Sequence, residues 1–194
     1  MRLASSILVV ALFLAPLGIS LAASMAAAQG VVDAPMTPIQ LSIAAGYSQI
    51  FKDEVPVYGL RTSFLWGEQN EVNGIDVGIF HTAVKTNGLA LGIYNGLSES
   101  GTGIQMGLGS YVQQGFSGLQ WGLANAVTGE LKGAQLGIAN QAGSGTGFQF
   151  GGLNVTDSMQ GIQIGLWNVN PNGFLPYFPI INFSFGSPPA TSEE

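Results

Sequence analysis

Gly161-Ile-Gln-Ile-Gly-Leu-Trp-Asn168 is the last of seven copies of one phrase, the others beginning at Gly74, Gly88, Gly103, Gly118, Gly133 and Gly147. Successive copies start 14 or 15 residues apart. A repeat this short and regular bears on the architecture before any single side chain is weighed.

The columns are more informative than the rows. The fifth position is glycine in every copy, as at Gly107, Gly122 and Gly165. The third position reads Asp76, Ala90 and then Gln105, Gln120, Gln135, Gln149 and Gln163. The eighth reads His81, Asn95, Ser110 and then Asn125, Asn140, Asn154 and Asn168. Positions two, four and six are apolar almost throughout, for example Leu119, Trp121 and Leu123. Alternate residues of an extended chain point to opposite faces, so each phrase reads as a strand with one apolar face and one face of glycine and glutamine.

Between the phrases lie connectors such as Val127-Thr-Gly-Glu-Leu131 and Ala142-Gly-Ser-Gly-Thr146, which read as turn material. A straight eight-residue strand spans about 26 Å, and a connector of six or seven residues reaches roughly 20 to 24 Å. Such a connector cannot return the chain to the start of the strand unless the phrase bends at its central glycine. The arithmetic therefore favours an antiparallel meander, whose connectors are ordinary hairpin loops. Two leading strands, the phrases and a closing strand at Phe178–Phe185 make about ten strands, and closure into a barrel would remove their edges. The alternative is a β-solenoid with 14–15 residues per coil, in which the asparagine column would stack as an in-register ladder.

Outward from the repeats, residues 1–28 have the charged, apolar, small-residue order of a secretory signal peptide ending at Ala26-Ala27-Ala28. Residues 29–38 read as a linker, 39–186 as a single repeat-built β domain, and 187–194 as a polar tail. Ile39, Leu41 and Ile43 alternate with polar neighbours as the first strand, and Phe51–Pro56 is a charged turn before a second strand at Val57–Gly67.

Composition excludes several classes of function. The chain is acidic, with 5 basic against 11 acidic residues, and cannot assemble the basic stripe that nucleic acid requires. It has no cysteine, hence no disulfide framework, lipid-attachment thiol or thiolate metal site. With 8% charged residues and 29 glycines it is too apolar for disorder and too glycine-rich for helices, which leaves all-β.

No constellation for chemistry emerges, and neither catalytic residues nor a metal or cofactor is expected. His81, the sole histidine, sits in the asparagine column and reads as a polar residue at a strand end. Asp53 and Glu54 form a short acidic turn without the oxygen-rich loop of a calcium site. Gly143-Ser-Gly-Thr-Gly147 lacks the lysine and the helix of a phosphate-binding loop and reads as a hairpin connector. Asn154-Val-Thr156 and Asn182-Phe-Ser184 match the glycosylation triplet as chance occurrences. The apolar face offers three positions between polar ends, about 13 Å along the strand against the ~25 Å apolar band of an outer-membrane barrel. Trp121 and Trp167 are accordingly expected as filler of a sheet core.

At these columns the chain resembles a family of bacterial surface-repeat proteins built from Gly-x-Gln-x-Gly-Leu-x-Asn phrases. The likeness runs from about Ile39 to Phe185 and takes in Val57-Tyr-Gly-Leu-Arg61 and Leu175-Pro-Tyr-Phe-Pro-Ile-Ile-Asn-Phe183. It implies placement in the cell envelope and supplies no catalytic residues. The early copies depart from the pattern at Asp76, Ala90, His81 and Ser110, which argues against uniform ladders there. The expectation is an exported, non-enzymatic structural or interaction protein of the envelope, with outer-membrane association as one placement. Its alternatives are an outer-membrane barrel forming a small pore and a polymerising subunit like those of curli fibres.

Overall fold

The computed structural model describes residues 35–44 and 49–186. The expected signal peptide, most of the linker and the polar tail lie outside the described residues. The strands are β1 (Thr37–Ala44), β2 (Val57–Leu91), β3 (Tyr94–Met106), β4 (Gly109–Val112), β5 (Gly115–Trp121), β6 (Ala124–Leu136), β7 (Ala139–Val169) and β8 (Tyr177–Ser184). No helix occurs among the described residues. The first strand starts two residues earlier than the alternation at Ile39 indicates.

The fold is a β-solenoid, and the expected antiparallel meander closed into a barrel is corrected. From β1 to β7 every pairing between strands is parallel, and it sets each phrase directly on its predecessor: Gly103 pairs with Gly118, and Gln120 with Gln135. The phrase is not one straight strand, so a connector of six or seven residues is long enough to return the chain. β5 stops at Trp121 and β6 starts at Ala124, so Gly122-Leu123 is a corner. Its two amides remain satisfied by neighbouring coils, Gly122 N donating to Leu136 O (3.0 Å) and Leu123 N to Leu108 O (2.9 Å). Each coil is thus folded into short arms, and 14 or 15 residues suffice to close it.

Glycine permits this stacking in two columns. At the first position of the phrase Gly118 has φ +139°, and a Cβ there would collide with the carbonyl oxygen of Gly103 in the coil beneath. At the fifth position a Cβ on Gly151 would collide with Gly137 O. The first column also reveals an eighth copy, because Gly74 stacks on Gly59 and Gly59 on Pro38. Val57-Tyr-Gly-Leu-Arg61 therefore belongs to the repeat, with Arg61 in the glutamine column.

The hydrophobic core comes from the segments read as connectors. Leu97, Val112, Val127 and Ala142 stack from one arm, and Phe116 and Leu131 enter from beside the next phrase. All are buried, Val112, Val127 and Leu131 completely. The hairpin-connector reading of Gly143–Gly147 is corrected likewise, since it runs inside β7.

Both ends are turned back. At the start, Ile50 N donates to Leu41 O (3.2 Å), and Gln40 Nε2 donates to Phe51 O (2.7 Å). At the other end, β8 pairs antiparallel with the last phrase, and Phe174 N donates to Phe183 O (2.7 Å) on its outer side. These segments occupy some of the edges that a parallel sheet would otherwise leave open.

Candidate functional site

Glutamine and glycine share the inner face of the phrase, so the long amide side chains project into the coil with no neighbour on either side. Stacked in register, they form a ladder. Gln120 donates Nε2 to Gln105 Oε1 (2.8 Å), Gln135 to Gln120 (2.8 Å), Gln149 to Gln135 (2.7 Å) and Gln163 to Gln149 (2.8 Å). Asparagines form a second ladder running the other way. Asn125 donates to Asn140 Oδ1 (3.0 Å), Asn140 to Asn154 (2.9 Å) and Asn154 to Asn168 (2.8 Å). Asn125, Asn140 and Asn154 also donate to a fourth-position carbonyl one coil ahead, as Asn140 does to Phe150 O (2.9 Å), which fastens the corner. The two chains of amide dipoles are opposed, so their fields partly cancel inside the solenoid.

The ladders fail where the columns change, and there the interior holds charge. Arg61, Asp76 and His81 are all buried. Arg61 Nε donates to Asp76 Oδ1 (2.8 Å), its Nη2 to Oδ2, and its Nη1 to Thr82 O (3.1 Å). His81 Nδ1 meets Asp76 Oδ2 from the other side at 2.9 Å. Burial by itself raises the Asp76 carboxyl, but the Arg61 charge and the hydrogen bonds from His81 and Arg61 outweigh it and hold that carboxyl well below the usual range. Around this group, His81 Nε2, Asn95 Oδ1 and Gln105 Nε2 have no hydrogen-bond partner. Ala90 explains the last of these, since it stands where Gln105 would find its acceptor.

His81 is therefore an inward member of an ionic cluster as well as of the asparagine column, and it lines no opening to solvent. The sequence does not mark Arg61 as a member of the repeat, because its phrase has Trp66 in place of the final asparagine. The usable signal was that glutamine and asparagine are replaced together in the copy starting at Gly74, which argues for a compensating charge nearby. Asn154, Thr156 and Asn182 of the two glycosylation triplets are buried. Asp53 lies in the turn before β2, where its carbonyl accepts from Gln69 Nε2 (2.9 Å) and Asn70 N (2.8 Å). It borders a surface cleft of about 400 Å³ with Glu68, Tyr94 and Tyr111. Burial pushes the Glu68 carboxyl up, and burial with the neighbouring Tyr111 pushes Tyr94 up to about 12. Among the described residues no group of three His, Asp or Glu side chains is placed to hold a metal ion.

The apolar positions of the phrase point outward, which corrects the expectation that Trp121 and Trp167 fill a sheet core. Trp121 is 54% exposed, Phe150 54% and Leu166 81%. Because the coils are in register, these residues line up. In the second column Ile39 pairs with Leu60, Leu89 with Ile104, and Ile162 with Phe183. The opposite arm is more mixed: its outward residues include Thr82, Gln113, Thr128 and Gln141 beside Phe80, Tyr111 and Trp167. The described residues thus form one apolar face and one mixed face around an interior half amide, half hydrocarbon.

Comparison of the chain with protein-family models, with curated proteins and with solved structures finds no match.

Proposed function

We propose that the chain is an exported, non-enzymatic structural or interaction protein of the bacterial cell envelope. One observation carries this reading: the polar columns of the repeat face inward and are spent on one another, whereas the apolar columns face outward. Catalysis needs polar groups that converge on a space a substrate can enter. Here the amides close ladders, and the Arg61, Asp76 and His81 side chains are sealed within the coil. An outward apolar sheet suits adhesion to another surface. The resemblance to surface-repeat proteins and the leader-like first 28 residues support placement in the envelope.

The alternatives are less well supported. The pore reading rested on a closed barrel, which the solenoid replaces. End-to-end growth into fibres would require strand edges that the folded-back residues around Ile50 and Phe174 partly occupy.

Fractionation of bacteria producing the full chain tests the proposal. The expected result is a protein shortened at its N-terminus and recovered with the envelope. A full-length protein in the cytosol would overturn it. So would a hydrolytic or transfer activity that disappears in a folded His81→Asn variant.

A further inference from the structure

We infer that the apolar face of the solenoid is an interface between two copies of this chain, packed sheet on sheet. The inference rests on the interaction-protein reading above and names the partner.

Size is the first argument. Stacking from β1 to β8 at ~4.8 Å per strand, with two outward columns and a corner at ~3.3 Å per residue, gives a face about 40 Å long and about 18 Å wide. That is roughly 700 Å², larger than the biggest apolar patch of most monomers and close to the ~800 Å² each partner contributes to a stable dimer. Composition is the second. The face carries Trp121, Phe150, Met106, Ile104 and Phe183, with charge only at its edge in the paired Lys132, the mixture of aromatics and aliphatics that marks the centre of interfaces.

Shape is the third argument. Two in-register columns make a flat ridge-and-groove surface, and two such sheets can interdigitate at about 10 Å separation. A copy of the same face supplies a groove of matching length. An anionic bilayer is the poorer occupant on charge. The chain carries a net charge of −6, Arg61 is buried, and Lys85 and Lys132 are engaged by Glu99 (3.2 Å) and Glu130 (2.9 Å). Among the described residues the few basic side chains are outnumbered by acidic ones, which disfavours contact with lipid phosphates.

The test uses the full chain recovered from the producing bacterium, examined by analytical ultracentrifugation up to about 100 μM, a range that captures even weak dimers. A dimer is expected. Trp121→Glu and Phe150→Glu, both at exposed sites, should each raise its dissociation constant about a hundredfold or more while leaving the far-UV circular dichroism unchanged. If either variant misfolds, the native chain still answers. Acrylamide quenching of its tryptophans should fall as concentration rises, because Trp121 becomes covered. A chain that stays monomeric, a dimer that survives both substitutions in folded protein, or flotation with vesicles of phosphatidylethanolamine and phosphatidylglycerol in place of dimerisation would each overturn the inference. A monomer that still fractionates with the envelope refutes the dimer alone. An unprocessed cytosolic chain refutes the envelope reading whatever its oligomeric state.

Discussion

Gln149 donates its side-chain amide to Gln135 across one coil at 2.7 Å, and both residues are completely buried. Gln135 in turn donates to Gln120, so one side chain supplies both a donor and an acceptor to a continuous chain. Removing it leaves two buried amides without partners and a space where its methylenes stood. Gln135→Ala is expected to destabilise the chain by about 3 to 5 kcal/mol, combining an unsatisfied amide on each side with the cavity. Urea unfolding followed by circular dichroism measures this directly.

The inward and outward assignments make a second prediction that a barrel with an apolar interior would reverse. Leu131 is completely buried although it lies in a segment that reads as a turn, whereas Leu166 is 81% exposed although it lies in the phrase itself. Leu131→Ala should cost about 2 to 5 kcal/mol and Leu166→Ala no more than about 0.5 kcal/mol, compared below the concentration at which copies associate. Equal losses would contradict the solenoid's packing.

The columns of the repeat make much of this fold legible in the sequence, and they also mark what it leaves open. Unvarying glutamine in one column and asparagine in another mean that like sits on like, which a parallel, in-register stack produces and an antiparallel meander does not. That signal was present in Gln105 through Gln163. A phrase that ran straight from Gly118 to Asn125 would nevertheless be too long for its connector to bring back. The bend at Gly122-Leu123 depends on amides and carbonyls of neighbouring coils, and a single phrase does not display those contacts. The apolar face misled for a related reason. Alternation reports that two faces differ and leaves open which one is inside; the core was carried instead by Val127 and Leu131 among polar neighbours. The ionic cluster needed the third dimension, since Arg61 and Asp76 are 15 positions apart and meet only through stacking.

The first-position glycines provide a third prediction. Gly118 combines a left-handed backbone (φ +139°) with direct contact between its Cα hydrogen side and Gly103 O. Gly118→Ala must strain the backbone and push neighbouring coils apart, at an expected cost of about 3 kcal/mol or more. Gly115, where a Cβ would make only ordinary contact, is the control, and Gly115→Ala should change the unfolding midpoint little.

The buried charges set the response to acid. Asp76 has its folded-state carboxyl held below the usual range, chiefly by Arg61 against the opposing effect of burial. A depressed carboxyl contributes stability that is fully present above its unfolded value of about 3.9, and that contribution is lost as pH falls through the folded value. Stability measured from pH 6 downwards should therefore hold until about pH 4 and then decline. Asp76→Asn should cost about 3 to 5 kcal/mol at pH 7, since Arg61 is left buried without its counter-charge, and should flatten that decline. The triple variant Arg61→Gln, Asp76→Gln and His81→Asn puts column amides in place of the ion cluster, with Ala90 and Ser110 still interrupting the columns beyond it. It is expected to recover most of the stability lost in Asp76→Asn and to keep the flattened acid limb. If it instead unfolds as readily as Asp76→Asn, the early coils depend on their charges for more than mutual neutralisation, and the ladder account of the interior fails there.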